Sequence, residues 1–113
     1  EDLAARGVSV VFAGPEGNDI AAALTRIGSA YNAKRLLLEG GGRMNGVFLA
    51  ADLIDETSTL ILPVIDGLAG SPAIYELVAE NPARTLELIS TETMEDGTVW
   101  LRHRMVRNLT QES

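Results

Sequence analysis

The stretch from residue 36 to residue 46, LLLEGGGRMNG, constrains the fold of this chain more than any other part of it. Three leucines lead into Glu39, and three consecutive glycines follow directly behind this acid. Glycine loses more backbone entropy on ordering than any other residue, so such a run is costly in an ordered segment. The run therefore indicates either a loose linker or a place where something must approach the backbone closely.

The residues up to Glu39 have the pattern of a strand, a helix and a second strand. The segment of residues 8–13 is short, β-branched and apolar, and residues 35–39, with three leucines at their centre, read as a second buried strand. Between them, Asn18 or Asp19 is a suitable N-cap for an amphipathic helix. The apolar face of this helix consists of Ile20, Leu24, Ile27 and Tyr31. A strand, a helix and a strand of this length form a βαβ unit, so we predict two parallel strands.

The middle of the chain predicts a second helix and a third strand. Apolar residues mark a short helix from Met44 to about Leu53, and residues 55–65 read as a strand that Asp55 and Glu56 open. We expect these two acids to cap the strand entry or to bond to turn backbone, rather than to act as an acid–base pair. A Ser-Pro pair then predicts a short helical turn over residues 73–78.

The last third of the chain reads as a β-hairpin. Two strand-like runs, residues 85–94 and 98–107, flank Asp96 and Gly97, and Asp-Gly between such runs is a strong hairpin signal. We therefore predict an α/β fold with a mixed sheet of five strands and two or three helices. A parallel βαβ unit comes first in this sheet, and an antiparallel hairpin comes last.

Composition narrows the classes of function. The 113 residues fit one modest domain or part of a larger one, and the net charge of −7 argues against a nucleic-acid-binding surface. The absence of cysteine excludes disulfides, thiolate metal sites and a cysteine nucleophile. No apolar run approaches the ~20 residues of a membrane span, and the chain start lacks the form of a signal peptide, so we expect a cytoplasmic protein. His103 is the only histidine, and we predict a structural role for it and no metal site.

A strand, then glycines, then a helix start is also a phosphate-binding geometry. An anion can reach a backbone without Cβ atoms, and a helix N-terminus points unpaired N–H groups at it. The segment is neither a P-loop nor a strict G-x-G-x-x-G fingerprint. The spacing alone leaves two readings, a ligand-binding loop or a tight turn that needs positive φ. Glu39 likewise is either a ligand contact at the sheet edge or a structural acid that pairs backbone N–H groups or an arginine.

The order of these features resembles the RibD C-terminal domain family, the pyrimidine reductases of riboflavin biosynthesis. The family pattern is an apolar strand, Glu-Gly-Gly, a short helix, Asp-Glu, and a strand with Pro and a later Gly. This chain supplies residues 39–41, Phe48 and Leu49, residues 53–56, and Pro63 with Gly67. The flanking strand and the closing hairpin match as well. The resemblance implies a dihydrofolate-reductase-like, three-layer fold.

The resemblance also implies a chemistry. Family members transfer hydride from NADPH to the ribosyl carbonyl of a pyrimidine intermediate. Glu39 resembles the substrate-side contact of the family, and the run that follows it is similar to the segment that lines the pyrophosphate of the cofactor. The candidate cofactor-binding residues are Gly40, Gly41, Gly42, Arg43, Met44, Asn45, Gly46 and Val47. The nicotinamide carries the reaction, so no catalytic side chain is predicted.

Family members are substantially longer than this chain. The resemblance therefore implies that residues 1–113 are the C-terminal portion of a single reductase domain, inactive alone and completed by a missing N-terminal half or a companion chain. Relatives commonly dimerise, which predicts a homodimer with the strand of residues 55–67 at its interface. Two further readings stay open: a reductase of the same fold with another substrate, and a non-catalytic α/β binding or assembly module.

Overall fold

The computed structural model describes residues 2–107 of the chain. Within this range the chain forms two α-helices, three β-strands and a single 3-10 turn near its start. The helices are α1, Ile20–Tyr31, and α2, Gly42–Ala50. The strands are β1, Glu56–Ile61, β2, Leu86–Thr93, and β3, Val99–Met105. The 3-10 turn spans Ala4–Arg6.

Helix α1 forms where the sequence pattern predicted it. Of the two candidate N-caps, Asp19 takes this role, and its carboxylate accepts a hydrogen bond of 2.9 Å from the amide of Ala22. The helix ends at Tyr31, and its C-cap is Asn32, whose φ of 51° lies in the left-handed region that asparagine tolerates. Helix α2 begins two residues before the predicted start at Met44, and it is followed by Asp52 with a φ of 56°.

The three strands form one antiparallel sheet in the order β1-β3-β2. The predicted hairpin is confirmed as β2 and β3. Its turn is stabilised by Asp96, whose carboxylate accepts a hydrogen bond of 2.9 Å from the amide of Thr98. Gly97 has a φ of 87°, which explains why glycine follows the aspartate. His103 lies in the middle of β3, between Thr57 and Leu88.

The predicted parallel pairing of the βαβ unit is not present among the described residues. Residues 8–13 and 35–39 flank α1 as expected, but they pair neither with each other nor with the sheet, which has three strands rather than five. An apolar run specifies that a strand is buried, but it does not specify which strand lies next to it. The predicted helical turn at residues 73–78 is also wrong, because this segment is irregular.

The core is small and lies where α2 meets the end of β3. Its buried side chains are Phe48 of α2, Ile54 of the connection to β1, and Met105 of β3. Partly buried apolar residues pack around these three, namely Ile20, Leu24, Leu38, Leu49, Leu53 and Tyr75. The core therefore supports the start of β1 and the helix that follows the glycine run.

Arg107 ties the chain after β3 to the connection between α2 and β1. Its guanidinium donates to the carboxylates of Asp52 (3.2 Å) and Asp55 (2.8 Å) and to the carbonyl oxygens of Asp52 (3.0 Å) and Ile54 (2.9 Å). The hydrogen bonds with Asp55 and then Asp52 raise the pKa of Arg107 above its ordinary value. Asp55 therefore pairs with Arg107, and Glu56 pairs with Arg102 at 3.2 Å. The prediction that these two acids cap the strand entry or bond to turn backbone is wrong.

The hairpin turn is expected to weaken in acid. The hydrogen bond from the Thr98 amide lowers the pKa of Asp96 below its ordinary value. The pKa of Asp96 is therefore lower in the folded than in the unfolded chain. The stability that the ionised carboxylate contributes is fully present at pH values above the unfolded-state pKa, and it is lost as the pH falls through the lower folded-state pKa. The protection of the Thr98 amide against exchange, relative to an unstructured peptide at the same pH, measures the loss across this range. Asp96→Asn, which keeps an acceptor oxygen but does not titrate, should remove the pH dependence, and an equally acid-sensitive variant would contradict the assignment.

Candidate functional site around the glycine run

The glycine run is an ordered connection from residues 35–39, which form no helix, strand or turn, into α2, so the linker reading is wrong. Gly40 has a φ of 92°, a conformation that side chains other than glycine rarely adopt. Gly41 is the N-cap of α2 and has ordinary extended backbone angles. A Cβ atom added to Gly41 would meet nothing within 4 Å. The tight turn therefore needs glycine at Gly40, whereas Gly41 faces open space.

Gly42 and Gly46 serve a different purpose, because the backbone of residues 73–76 packs directly against them. A Cβ atom on Gly42 would lie 2.3 Å from the carbonyl oxygen of Ala73, and one on Gly46 would lie 1.8 Å from that of Glu76. The amide of Glu76 also donates to the carbonyl of Gly42 at 2.9 Å. The close approach expected at the glycine run is thus made, at Gly42, by the backbone of the protein itself, and the same backbone also approaches Gly46.

The start of α2 presents free hydrogen-bond donors. Gly41 provides no side-chain cap, and the first turn contains no acidic residue. The amides of Gly42, Arg43 and Met44 have no hydrogen-bond acceptor among residues 2–107. Unpaired N–H groups at a helix N-terminus carry partial positive charge and attract anions. A ligand can therefore reach the backbone at Gly41, and the free amides beside it favour an anion as that ligand.

The other predicted cofactor residues lie on different sides of α2. The Arg43 side chain is 95% exposed, and its Nε lies 3.5 Å from the Glu76 carboxylate. Asn45 turns inward, and its Nδ2 donates to the carbonyl of Ile74 at 2.9 Å. The Oδ1 of Asn45 is buried without a hydrogen-bond partner in the described part of the chain. Met44 and Val47 are exposed.

Glu39 lines a cavity of about 1020 Å³ together with Asn45 and Tyr75. Its carboxylate is exposed and makes no ion pair or hydrogen bond to any residue that the structure describes. The structural reading of this acid required an arginine or backbone N–H partner, and the described chain supplies none. Glu39 and the start of α2 thus lie on one connection, and Glu39 is one of the residues that line the cavity.

Sequence reasoning missed the segment that supports this site. Residues 73–76 hold α2 through Gly42, Asn45 and Gly46, although they lie about thirty positions further along the chain. Gly42 and Gly46 are four residues apart, and positions with this spacing share one face of a helix. Two glycines on one helical face indicate a close backbone neighbour, but they do not indicate which segment it is.

Residues 2–107 contain no cluster of three or more side chains suited to hold a metal ion. Within the same range, neither helix has the length and apolar character needed to cross a bilayer.

A family model described as the RibD C-terminal domain matches residues 1–100. The chain belongs to this family. Among curated proteins, no sequence matches it. The match spans the glycine run, both helices, β1 and β2, so the features described above are those of a RibD C-terminal domain.

Two solved structures show the same fold. A pyrimidine reductase-like protein from Corynebacterium diphtheriae NCTC is similar with a TM-score of 0.64 at 20% identity, over 75% of this chain and 34% of that chain. A protein described as a riboflavin biosynthesis protein, from Shewanella sp. PV-4, has a TM-score of 0.58 at 24% identity, over 74% of this chain and 45% of that chain. The predicted dihydrofolate-reductase-like fold is confirmed. The part of this RibD C-terminal chain that aligns covers less than half the length of either structure.

Proposed function

We propose that this chain is part of an NADPH-dependent reductase. The proposed reaction is that of 5-amino-6-(5-phosphoribosylamino)uracil reductase in riboflavin biosynthesis, or of a close relative with another small-molecule substrate. Membership of the RibD C-terminal domain family supports the class of enzyme. One observation carries the proposal to this site: the uncapped start of α2, with free amides beside the open face of Gly41.

The residues at the start of α2 fit a dinucleotide phosphate. The amides of Gly42, Arg43 and Met44 would hold the pyrophosphate, because they are free donors at the positive end of a helix. The open space at Gly41 would let a phosphate oxygen approach the backbone. When bound, NADPH supplies the hydride, and this chain supplies position and electrostatics. Gly42 and Gly46 act indirectly, since their contacts with residues 73–76 fix the helix.

Glu39 is proposed as the substrate-side contact. It directly precedes the glycines, it is exposed, and it is one of the residues that line the cavity. A carboxylate accepts hydrogen bonds only, so it would orient the hydroxyl or amino groups of a polar substrate. Its negative charge also disfavours a phosphate at its own position, which would keep the substrate and the pyrophosphate apart.

The complete active site is proposed to need more chain than residues 1–113. The two solved relatives are more than twice as long as the part that they share with this chain. We propose that an N-terminal half, on the same polypeptide or on a companion chain, completes the site, and that the enzyme is a cytoplasmic homodimer. The activity is therefore proposed for the complete enzyme and not for these residues alone.

Enlarging Gly41 is expected to weaken NADPH binding without unfolding the protein. A Cβ atom added to Gly41 would meet nothing within 4 Å, so we expect a small side chain there to compete with a ligand rather than with the protein. We expect Gly41→Ala to weaken binding slightly and Gly41→Val to weaken it by at least about tenfold, or 1.4 kcal/mol. Fluorescence titration of NADPH into the complete polypeptide measures both, with thermal unfolding of each variant as the control. Equal affinity of wild type and Gly41→Val would remove the glycine run from the cofactor site.

Glu39→Gln is expected to impair substrate use while leaving NADPH binding intact. The substitution keeps the size of the side chain but removes its charge and replaces one acceptor by a donor. Loss of a hydrogen bond to a charged group should lower kcat/KM about tenfold or more, since such bonds contribute about 1.5–3 kcal/mol. Steady-state kinetics at saturating NADPH provide the test. Unchanged kinetics would exclude the substrate role, and a complete polypeptide that neither binds nor oxidises NADPH would favour the non-catalytic module.

A further inference from the structure

The chain contains two Asp-Gly pairs, and the structure places them in different surroundings. Asp96 and Gly97 lie in the turn of the hairpin, whereas Asp66 and Gly67 lie in the irregular connection that follows β1. An Asp-Gly pair can react with itself, because the amide nitrogen of the glycine can attack the side-chain carboxyl group of the aspartate. Glycine permits this attack because it has no Cβ atom beside the nitrogen. Neither pair belongs to the proposed cofactor or substrate site.

The nitrogen of Gly67 is free to react. It donates to no acceptor among residues 2–107, and a Cβ atom added to Gly67 would meet nothing within 4 Å. The side chains on either side of the pair lie in solvent, since Ile65 is 97% exposed and Leu68 is 73% exposed. Solvent can therefore reach this nitrogen and remove its proton.

The carboxyl group of Asp66 has a hydrogen-bond donor on each of its oxygens. The amide of Leu68 donates to Oδ1 at 3.0 Å, and the hydroxyl of Ser71 donates to Oδ2 at 3.4 Å. Negative charge develops on one carboxyl oxygen as a nitrogen attacks the carbon, and a donor at that oxygen stabilises the charge. The other oxygen has to leave as water, and a hydroxyl group beside it can pass it a proton. The loop around Asp66 thus assists both parts of the reaction.

The same reaction is opposed at Asp96. The amide of Gly97 donates to the carbonyl oxygen of Met94 at 3.0 Å, so the nitrogen that would attack is tied into the hairpin turn. The turn would have to open locally before this nitrogen could reach the carboxyl group. The hydrogen bond from the Thr98 amide also lowers the pKa of Asp96, and an ionised carboxylate is a poor electrophile.

We propose that Asp66 is a site of spontaneous isoaspartate formation and that Asp96 is protected from it. In the neutral acid form of Asp66, the nitrogen of Gly67 bonds to Cγ and the bond from Cγ to Oδ2 breaks. Oδ2 leaves as water, with its own proton and the amide proton, and a five-membered cyclic imide remains. Water then adds to the main-chain carbonyl of Asp66 and cleaves its bond to the Gly67 nitrogen. In the product, isoaspartate, the chain runs through Cγ and the former main-chain carbonyl is a free carboxylate.

The test follows both aspartates in the complete natural polypeptide that contains this sequence. The polypeptide is incubated in mildly acidic buffer and digested, and mass spectrometry with electron-based fragmentation distinguishes isoaspartate from aspartate in each peptide. Methylation of the free carboxylate by a protein-isoaspartate methyltransferase provides an independent count. We expect isoaspartate to accumulate at least about tenfold faster at Asp66 than at Asp96, because only Asp96 requires its turn to open. Equal rates, or a faster reaction at Asp96, overturn the proposal.

The polypeptide unfolded in urea is the reference for both sites. Each Asp-Gly pair is then exposed, so the two rates should become similar. Folding should therefore slow the reaction at Asp96 and leave the reaction at Asp66 at least as fast as in urea. A slower reaction at Asp66 in the folded polypeptide overturns the proposal, whether a dimer contact, the rest of the polypeptide or the loop itself protects it.

Two glycine variants in the same loop test the attacking nitrogen. Gly67→Ala places a methyl group beside this nitrogen, and it should slow isoaspartate formation at Asp66 by at least about tenfold. Gly70→Ala is the matched control, because Gly70 also has a positive φ and an added Cβ atom there would also meet nothing within 4 Å. This second variant should react at the wild-type rate. Similar rates of isoaspartate formation in the two variants overturn the proposal.

Discussion

Gly46→Ala is expected to disrupt the packing of α2 against residues 73–76. The new Cβ atom would lie 1.8 Å from the carbonyl oxygen of Glu76, and this neighbour is backbone that cannot change rotamer. Overpacking typically costs 1–3 kcal/mol, and a clash with backbone belongs at or above the upper end, so we expect a loss of at least about 3 kcal/mol in the free energy of unfolding. Urea unfolding followed by circular dichroism measures this loss.

Gly28→Ala provides the matched control for this substitution. Gly28 also lies in a helix, but its added Cβ atom would be 3.6 Å from the nearest atom, the carbonyl oxygen of Ala33. Alanine is favoured over glycine in a helix by about 0.5–1 kcal/mol, so this variant should be slightly more stable than wild type. Similar unfolding free energies for the two variants would contradict the close contact at Gly46.

Arg107→Ala is expected to produce the second largest effect. The substitution removes four hydrogen bonds and leaves the partly buried carbonyl oxygen of Ile54 without its donor. An unsatisfied group of this kind costs about 1–3 kcal/mol, so we expect a loss of about 2–3 kcal/mol in the free energy of unfolding. Arg107→Lys should recover only part of it, because an ammonium cannot reproduce the planar arrangement of donors.

Arg104→Ala separates this network from an ordinary surface ion pair. Arg104 lies 3.7 Å from Glu56, and its side chain is 58% exposed. Exposed pairs of this geometry contribute about 0–1 kcal/mol, so the variant should be nearly as stable as wild type. If urea unfolding gave equal losses of unfolding free energy for Arg104→Ala and Arg107→Ala, the hydrogen bonds of Arg107 would contribute no more than an exposed ion pair, which would contradict the prediction.

The elements that were predicted correctly are those whose signals are local. Helix α1 follows from the spacing of its apolar residues and from the cap at Asp19, and the hairpin follows from Asp96 and Gly97. The third strand was predicted to extend to residue 65 but ends at Ile61, shortly before Pro63, whose missing N–H cannot join a ladder. Each of these features depends on residues close together in the chain.

The features that were missed depend on neighbours distant in the chain. Residues 8–13 and 35–39 carry the apolar pattern of strands, but nothing in that pattern says which strand lies beside each of them. Likewise, the glycine run that ends at Gly42 indicated a close approach, while the segment that approaches it lies about thirty residues later in the chain. The bonds of Arg107 to Asp52 and Asp55 span more than fifty positions, beyond the reach of any spacing rule.

The contact of Gly42 and Gly46 with residues 73–76 has a mechanical consequence. Side chains at a helix contact can absorb small displacements by changing rotamer, but here two backbones touch with no side chain between them. A movement of the chain around Ile74 and Glu76 would therefore be transmitted to α2 almost undiminished. The free amides at the start of α2 and Tyr75, which lines the cavity, would then move as one rigid unit.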